Sequence, residues 1–181
     1  MSPSRLSCAV LLLALTLASG CATKDANLIG ANYFVANELM GASPLAIDKD
    51  RPILVAPFMD VDRLDRSSSF GRLTAEQLSS RFAQAGYVVL EAKLRRENLY
   101  ARQGSGETLL SAELKNLCET LNAQAVLIGT YSAAAEKVYV TARLVRPTDN
   151  VILASHDYWL PLGPDTNTLL QPSRYRVAGS F

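Results

Sequence analysis

Apolar side chains recur at helical spacing from Leu28 onward. Leu28, Ile29, Tyr33, Val35, Ala36, Leu39 and Met40 predict a helix, ended by Gly41 and Pro44. Arg51-Pro52 leads into a continuous apolar run, Ile53-Leu54-Val55-Ala56-Pro57-Phe58. Such a run predicts a strand buried on both faces, with Pro57 near a strand end or a sheet edge. Ser67, Ser68 or Ser69 can cap a helix over roughly 70–85, where Phe70, Leu73, Ala75, Leu78, Phe82 and Ala85 are the apolar positions and Gly86 the stop. Tyr87-Val88-Val89-Leu90-Glu91-Ala92 reads as a second strand, so residues 53–92 form a β-α-β unit.

A polar stretch, Gln103-Gly104-Ser105-Gly106-Glu107, separates this unit from a helix predicted over about 109–122, with Leu110, Leu114, Leu117, Cys118 and Leu121 on one face and Asn122 at its end. Ala125-Val126-Leu127-Ile128-Gly129-Thr130-Tyr131 is a third buried strand and completes a second β-α-β unit. The period then becomes two. Val138, Val140, Ala142 and Leu144 alternate with Tyr139, Thr141 and Arg143, which predicts a strand wet on one face. Pro147-Thr148-Asp149-Asn150 is a turn, and a partner strand starts at Val151 and runs toward Trp159. The expected fold is a single α/β domain over residues 28–160. Its mixed sheet has parallel β-α-β units, flanking helices and a C-terminal antiparallel hairpin. Residues 161–181 read as a polar, poorly ordered tail with Pro161, Pro164 and Pro172.

The N-terminal segment sets the expected compartment. Arg5 precedes an apolar run from Cys8 to Ala18 of about a dozen residues, within the range of a signal-peptide core and short of a membrane span. Ala18-Ser19-Gly20-Cys21 then resembles the lipobox of bacterial lipoproteins, although Ala18 stands where Leu is usual. That resemblance implies cleavage after residue 20 and acylation of Cys21, palmitate included. Residues 21–27 become a lipidated tether. Several acyl chains anchor stably where one binds marginally. Ala22 rather than Asp implies the outer membrane, with the domain on its periplasmic face.

Composition narrows the function classes. Eighteen basic and 17 acidic residues nearly cancel, so no electrostatic footprint for nucleic acid exists. Of three cysteines only Cys118 would remain an unmodified thiol. Its leucine neighbours predict a buried, inert one rather than a disulfide partner. The one histidine, His156, adjoins Asp157, but no Gly-x-Ser-x-Gly elbow accompanies them, and no enzymatic activity is expected. Asp60-Val61-Asp62-Arg63-Leu64-Asp65 departs from a calcium loop at Leu64 and Asp65. The loop 103–107 lacks the Lys-Ser/Thr of a phosphate-binding loop. No metal or cofactor is expected.

Two features remain as candidate contact points. Gly71 and Arg72 near a helix start suit an anion, or Gly71 serves close helix–sheet packing instead. Lys93, Arg95 and Arg96, with Arg102, form a local basic patch that either faces a partner or is simply solvated.

The chain also resembles the FlgO-domain family of outer-membrane lipoproteins associated with the flagellum. The stretches that carry the resemblance are 53–58, Ser68 to Leu78, Gly86 to Val89 with Glu91, Gly106-Glu107, Val126 to Tyr131 and Val138 to Val145. They cover about residues 30–160. The resemblance implies a non-catalytic envelope role in flagellar assembly, stability or motility, with the membrane and envelope proteins as partners and homo-oligomerisation left open. The alternative from the residues is a periplasmic module binding a ligand or cell-wall polymer at the strand ends, where open α/β sheets bind.

Overall fold

The computed structural model describes residues 25–42, 47–65, 67–92, 100–102 and 108–171. Helix α1 (Leu28–Ala42) begins where the Asn27 side chain accepts the Gly30 N–H at 3.1 Å. It buries Asn32, Val35, Ala36 and Leu39, one face at helical spacing. Helix α2 (Ser69–Gln84) starts at Ser68, whose Oγ accepts the Gly71 N–H at 3.3 Å. Of the three candidate serines, Ser68 is therefore the cap. Gly86 ends this region with φ +88°, a conformation glycine adopts without strain.

The strands are β1 (Ile53–Val55), β2 (Met59–Asp60), β3 (Val89–Glu91), β4 (Tyr100–Arg102), β5 (Thr108–Leu110), β6 (Ala125–Ala133), β7 (Lys137–Val145) and β8 (Ile152–Pro161). The main sheet runs β3-β1-β6-β7-β8, with β2 also on β6. β1 is parallel to β3 and β6, whereas β6-β7 and β7-β8 are antiparallel. The mixed α/β sheet with parallel units and a terminal hairpin is thus as the hydrophobic pattern predicts.

The run 53–58 is not one strand. Val55 stands opposite Leu127 and Met59 opposite Thr130, so β1–β2 spends one residue more than β6 over that span. The surplus falls at Pro57, which has no N–H to give to a ladder. Phe58 turns its N–H to the Gly71 carbonyl instead, at 3.2 Å.

The third helix, α3 (Ala112–Thr120), is shorter than its sequence pattern suggests. Ser111 caps it through an Oγ that accepts the Leu114 N–H at 3.2 Å, so Leu109 and Leu110 lie outside it. They belong to β5, which pairs with β4 in a small antiparallel hairpin that the pattern does not reveal. Three-residue strands carry too little alternation to register against a helical background. The far end is as expected: Asn122 takes a left-handed φ of 50°, and the Ala123 N–H returns to the Cys118 carbonyl at 2.8 Å.

Residues 164–170 correct the expectation of an unstructured tail. Pro164–Leu170 form helix α4, with proline at its start and Thr166 buried. Leu162, Leu169 and Leu170 pack on the core. Local composition hides this helix because its cap comes from Asp25, 140 residues away in sequence. Residues 172–181 lie outside the described part.

The sheet buries both faces where its strands are parallel. Ile53, Val55 and Leu127 face Val35, Leu39, Phe70, Leu78 and Phe82 of α1 and α2. Leu54, Ala56, Val126 and Ile128 face Leu114 and Cys118 of α3. That two-sided burial is why these strands read as unbroken apolar runs.

Candidate functional site

The start of α2 is closed by its own side chains. Ser68 accepts the Gly71 N–H, and the buried Tyr131 hydroxyl accepts the Ser68 N–H at 3.1 Å. Gly71 itself lies flat against the sheet. A Cβ there would collide with the Phe58 carbonyl oxygen and stand 2.7 Å from the Ser67 Oγ and 2.9 Å from Tyr131 Cε1. Close helix–sheet packing is therefore what Gly71 supplies here.

Arg72 follows on the outer side. Its Nη1 donates to the Ser67 carbonyl at 3.2 Å and its Nη2 to the Ser69 Oγ at 3.3 Å. The half-buried guanidinium keeps further donors for an incoming group. It borders a cleft of about 400 Å³ beyond the C-terminal end of β1, lined by Val55, Ala56 and Pro57, then Arg72, Ala75, Glu76, Ser79 and Ser80 of α2, and Glu91 at the end of β3. One cation faces two carboxylates, so the cleft suits a polar ligand with hydroxyl or amine donors better than a polyanion.

Sequence reasoning missed Glu76, Ser79 and Ser80. The signal was there. Arg72, Ala75, Glu76, Ser79 and Ser80 share one helical stripe, small and polar, beside the apolar stripe of Phe70, Leu78 and Phe82. The stripe becomes a cleft wall only because it overhangs the parallel strand ends.

The other candidates separate. Cys21, Lys93, Arg95 and Arg96 lie outside the described residues, as does the loop 103–107. Arg102 is placed by its backbone in β4. His156 and Asp157 are consecutive in β8 and so point to opposite sides of the sheet. The His156 ring packs edge-on to Phe34, 5.8 Å between centroids. Asp60 is engaged by its own turn, accepting the Asp62 N–H at 3.0 Å and pairing with Arg63 at 3.7 Å. Cys118 is 1% exposed, and burial, with Glu119 beside it, pushes its thiol up from 9.0 to about 11. It is an inert core thiol.

A mixed sheet with two helices on one face, a third on the other and a capping C-terminal helix is a known arrangement. The chain has the fold of the LpoB C-terminal domain. It superposes on the domain from Salmonella enterica with a TM-score of 0.52 at 17% identity, covering 74% of this chain and 97% of that one. The Escherichia coli domain gives a TM-score of 0.52 at 16% identity, with the same coverage. No curated protein is significantly similar in sequence. Residues 33–165 match the FlgO family, described as FlgO protein, and the chain belongs to that family.

Proposed function

We propose that this chain is an outer-membrane lipoprotein, cut before Cys21 and acylated there, whose domain works on the periplasmic face as a non-catalytic assembly or structural factor. FlgO-family membership across residues 33–165 carries the reading. The lipobox-like Ala18-Ser19-Gly20-Cys21 supports the anchor. No helix among the described residues is long and apolar enough to cross a membrane. The partners are the membrane, through the lipid, and envelope proteins, with flagellar assembly, stability or motility as the process served.

Metabolic labelling with palmitate tests the anchor: the wild-type chain takes label and Cys21→Ser does not. A labelled Cys21→Ser chain overturns it. Deleting the gene in a flagellated host tests the process. Reduced swimming or flagella lost from the cell supports it, and normal motility overturns the flagellar part.

The cleft bordered by Arg72, Glu76 and Glu91 favours one second reading, a module that binds a small ligand or cell-wall polymer. Thermal shifts with muropeptides that vanish in Ser79→Trp support it; a flat response removes it.

A further inference from the structure

Asp25 stands four residues after Cys21 and is bound into the fold. Its Oδ1 accepts the N–H groups of Asp165 at 3.0 Å and Thr166 at 3.3 Å, at the start of α4. Gly163 packs so closely on it that a Cβ there would lie 2.7 Å from the Asp25 Cα. From this point contacts lead directly to one end of the sheet. The Leu162 N–H donates to the Glu136 carbonyl at 2.8 Å, Lys137 stands opposite Pro161, and Tyr139 stands opposite Trp159. The chain following Cys21 therefore enters the domain where the β6–β7 turn, the end of β8 and the start of α4 meet.

That end carries large apolar side chains that the core does not use. Val61 is 45% exposed, Tyr139 52% and Trp159 53%. Val61 belongs to the same end because its N–H donates to the Tyr131 carbonyl at 2.9 Å, and it shares a surface hollow with Tyr139. The Lys137 ammonium sits 4.0 Å from the centroid of the Trp159 ring. A tryptophan and a tyrosine side by side, with a lysine over the ring, have the chemistry of a bilayer interface. The rings occupy the boundary between acyl chains and headgroups, while the indole N–H, the phenol and the ammonium meet carbonyls and phosphates. Glu136 precedes Lys137 in the chain and Asp157 stands opposite Thr141 on β8, so the surroundings carry both signs of charge and the attraction comes from aromatic and apolar area more than from net charge.

We infer that the end of the domain bearing Trp159, Tyr139, Lys137 and Val61 rests on the lipid surface that holds Cys21. The inference rests on the acylation proposed above. From Cys21 to Asp25 the chain reaches at most about 14 Å even when fully extended. A leash that short keeps the Asp25 end against the headgroup layer. The domain is oriented as well as tethered.

Trp159 is the only tryptophan and so reports on this directly. The mature acylated chain is reconstituted into vesicles of phosphatidylethanolamine and phosphatidylglycerol. Trp159 emission should shift to the blue relative to the unacylated chain in buffer, be quenched by brominated acyl chains, and lose about twofold in acrylamide quenching. Added salt should leave the shift nearly unchanged, and Tyr139→Ser with Val61→Ser should reduce it. Water-like emission with undiminished acrylamide quenching on the vesicles overturns the proposal. So does shielding that grows with protein concentration without lipid, which assigns the patch to a second copy, or shielding that requires added peptidoglycan. If the cell-made chain carries no palmitate, the anchor reading fails separately. The docking is then read on a Cys118→Ser chain coupled through Cys21 to a maleimide lipid, with the same two outcomes.

Discussion

The Tyr158 hydroxyl donates to the Asn32 Oδ1 at 2.6 Å, joining β8 to α1 across 126 residues of sequence. Asn32 is fully buried and passes its own amide N–H to the Gln77 Oε1 of α2 at 2.8 Å. One side chain thus links the edge strand and both helices of a layer. Burial holds the Tyr158 phenol well above its ordinary range, so it remains the neutral donor that this geometry needs.

Tyr158→Phe leaves the Asn32 oxygen buried without its donor. It should destabilise the domain by about 1–2 kcal/mol, read as a lower urea midpoint at unchanged slope. Asn32→Ala removes both bonds and leaves space, and should cost more, about 2–3 kcal/mol. The two losses should fall short of additive in the double variant. Additive losses would mean that the bond does not couple the elements.

Stability should fall at alkaline pH in a window set by Cys118. Its native pKa is raised from 9.0 to about 11, so between those values the unfolded chain releases a proton that the native chain keeps. Native stability is therefore fully present below pH 9 and declines through the window, by at most about 1.4 kcal/mol per pH unit for this group. The raised Tyr158 extends the decline above pH 10. Cys118→Ala should flatten the first part only. A wild-type curve that rises between pH 9 and 11 would contradict the assignment.

Gly71→Ala should be severe and Gly41→Ala mild. A Cβ at Gly71 meets a backbone carbonyl that cannot move aside, and lifting α2 off the sheet costs about 3 kcal/mol. Gly41 has nothing within 4 Å of such an atom and lies in the last turn of α1, where alanine gains about 0.5–1 kcal/mol. Opposite shifts in melting temperature are the expected result, and equal shifts would undo the argument.

Asp25→Ala removes the acceptor at the start of α4. Hydrogen exchange should quicken at Asp165 and Thr166 while the strands of the main sheet stay protected, with a global loss of about 1 kcal/mol. Unchanged exchange at these two amides would show that α4 holds its place through Leu169 and Leu170 alone.

Much of the architecture is legible in the pattern of apolar positions. The three helices at 28–42, 69–84 and 112–120, the parallel strands and the terminal hairpin each bury a face wide enough to leave a period in the chain. The failures share a cause. The break at Pro57, the β4–β5 hairpin and helix α4 are all short, and the first and last are held by a partner outside the local segment: Gly71 for Phe58, and Asp25 for Asp165. The cleft shows the same division. Arg72 stands out as a charge beside Gly71, whereas Glu76, Ser79 and Ser80 look like an ordinary wet helix face until the ends of β1 and β3 are set beneath them.

Sequence alone determined the three longer helices, the longer strands and which strands are buried twice, because those choices follow from local periodicity and local conformational preference. It also singled out Gly71, leaving open whether it serves an anion or close helix–sheet packing. Only the tertiary structure decided that Gly71 lies against the Phe58 carbonyl, that Asp25 closes the C-terminal helix, and that Trp159 and Tyr139 share the end of the domain next to that closure. Those relationships join residues far apart in the chain, and no local pattern encodes a distance that folding creates.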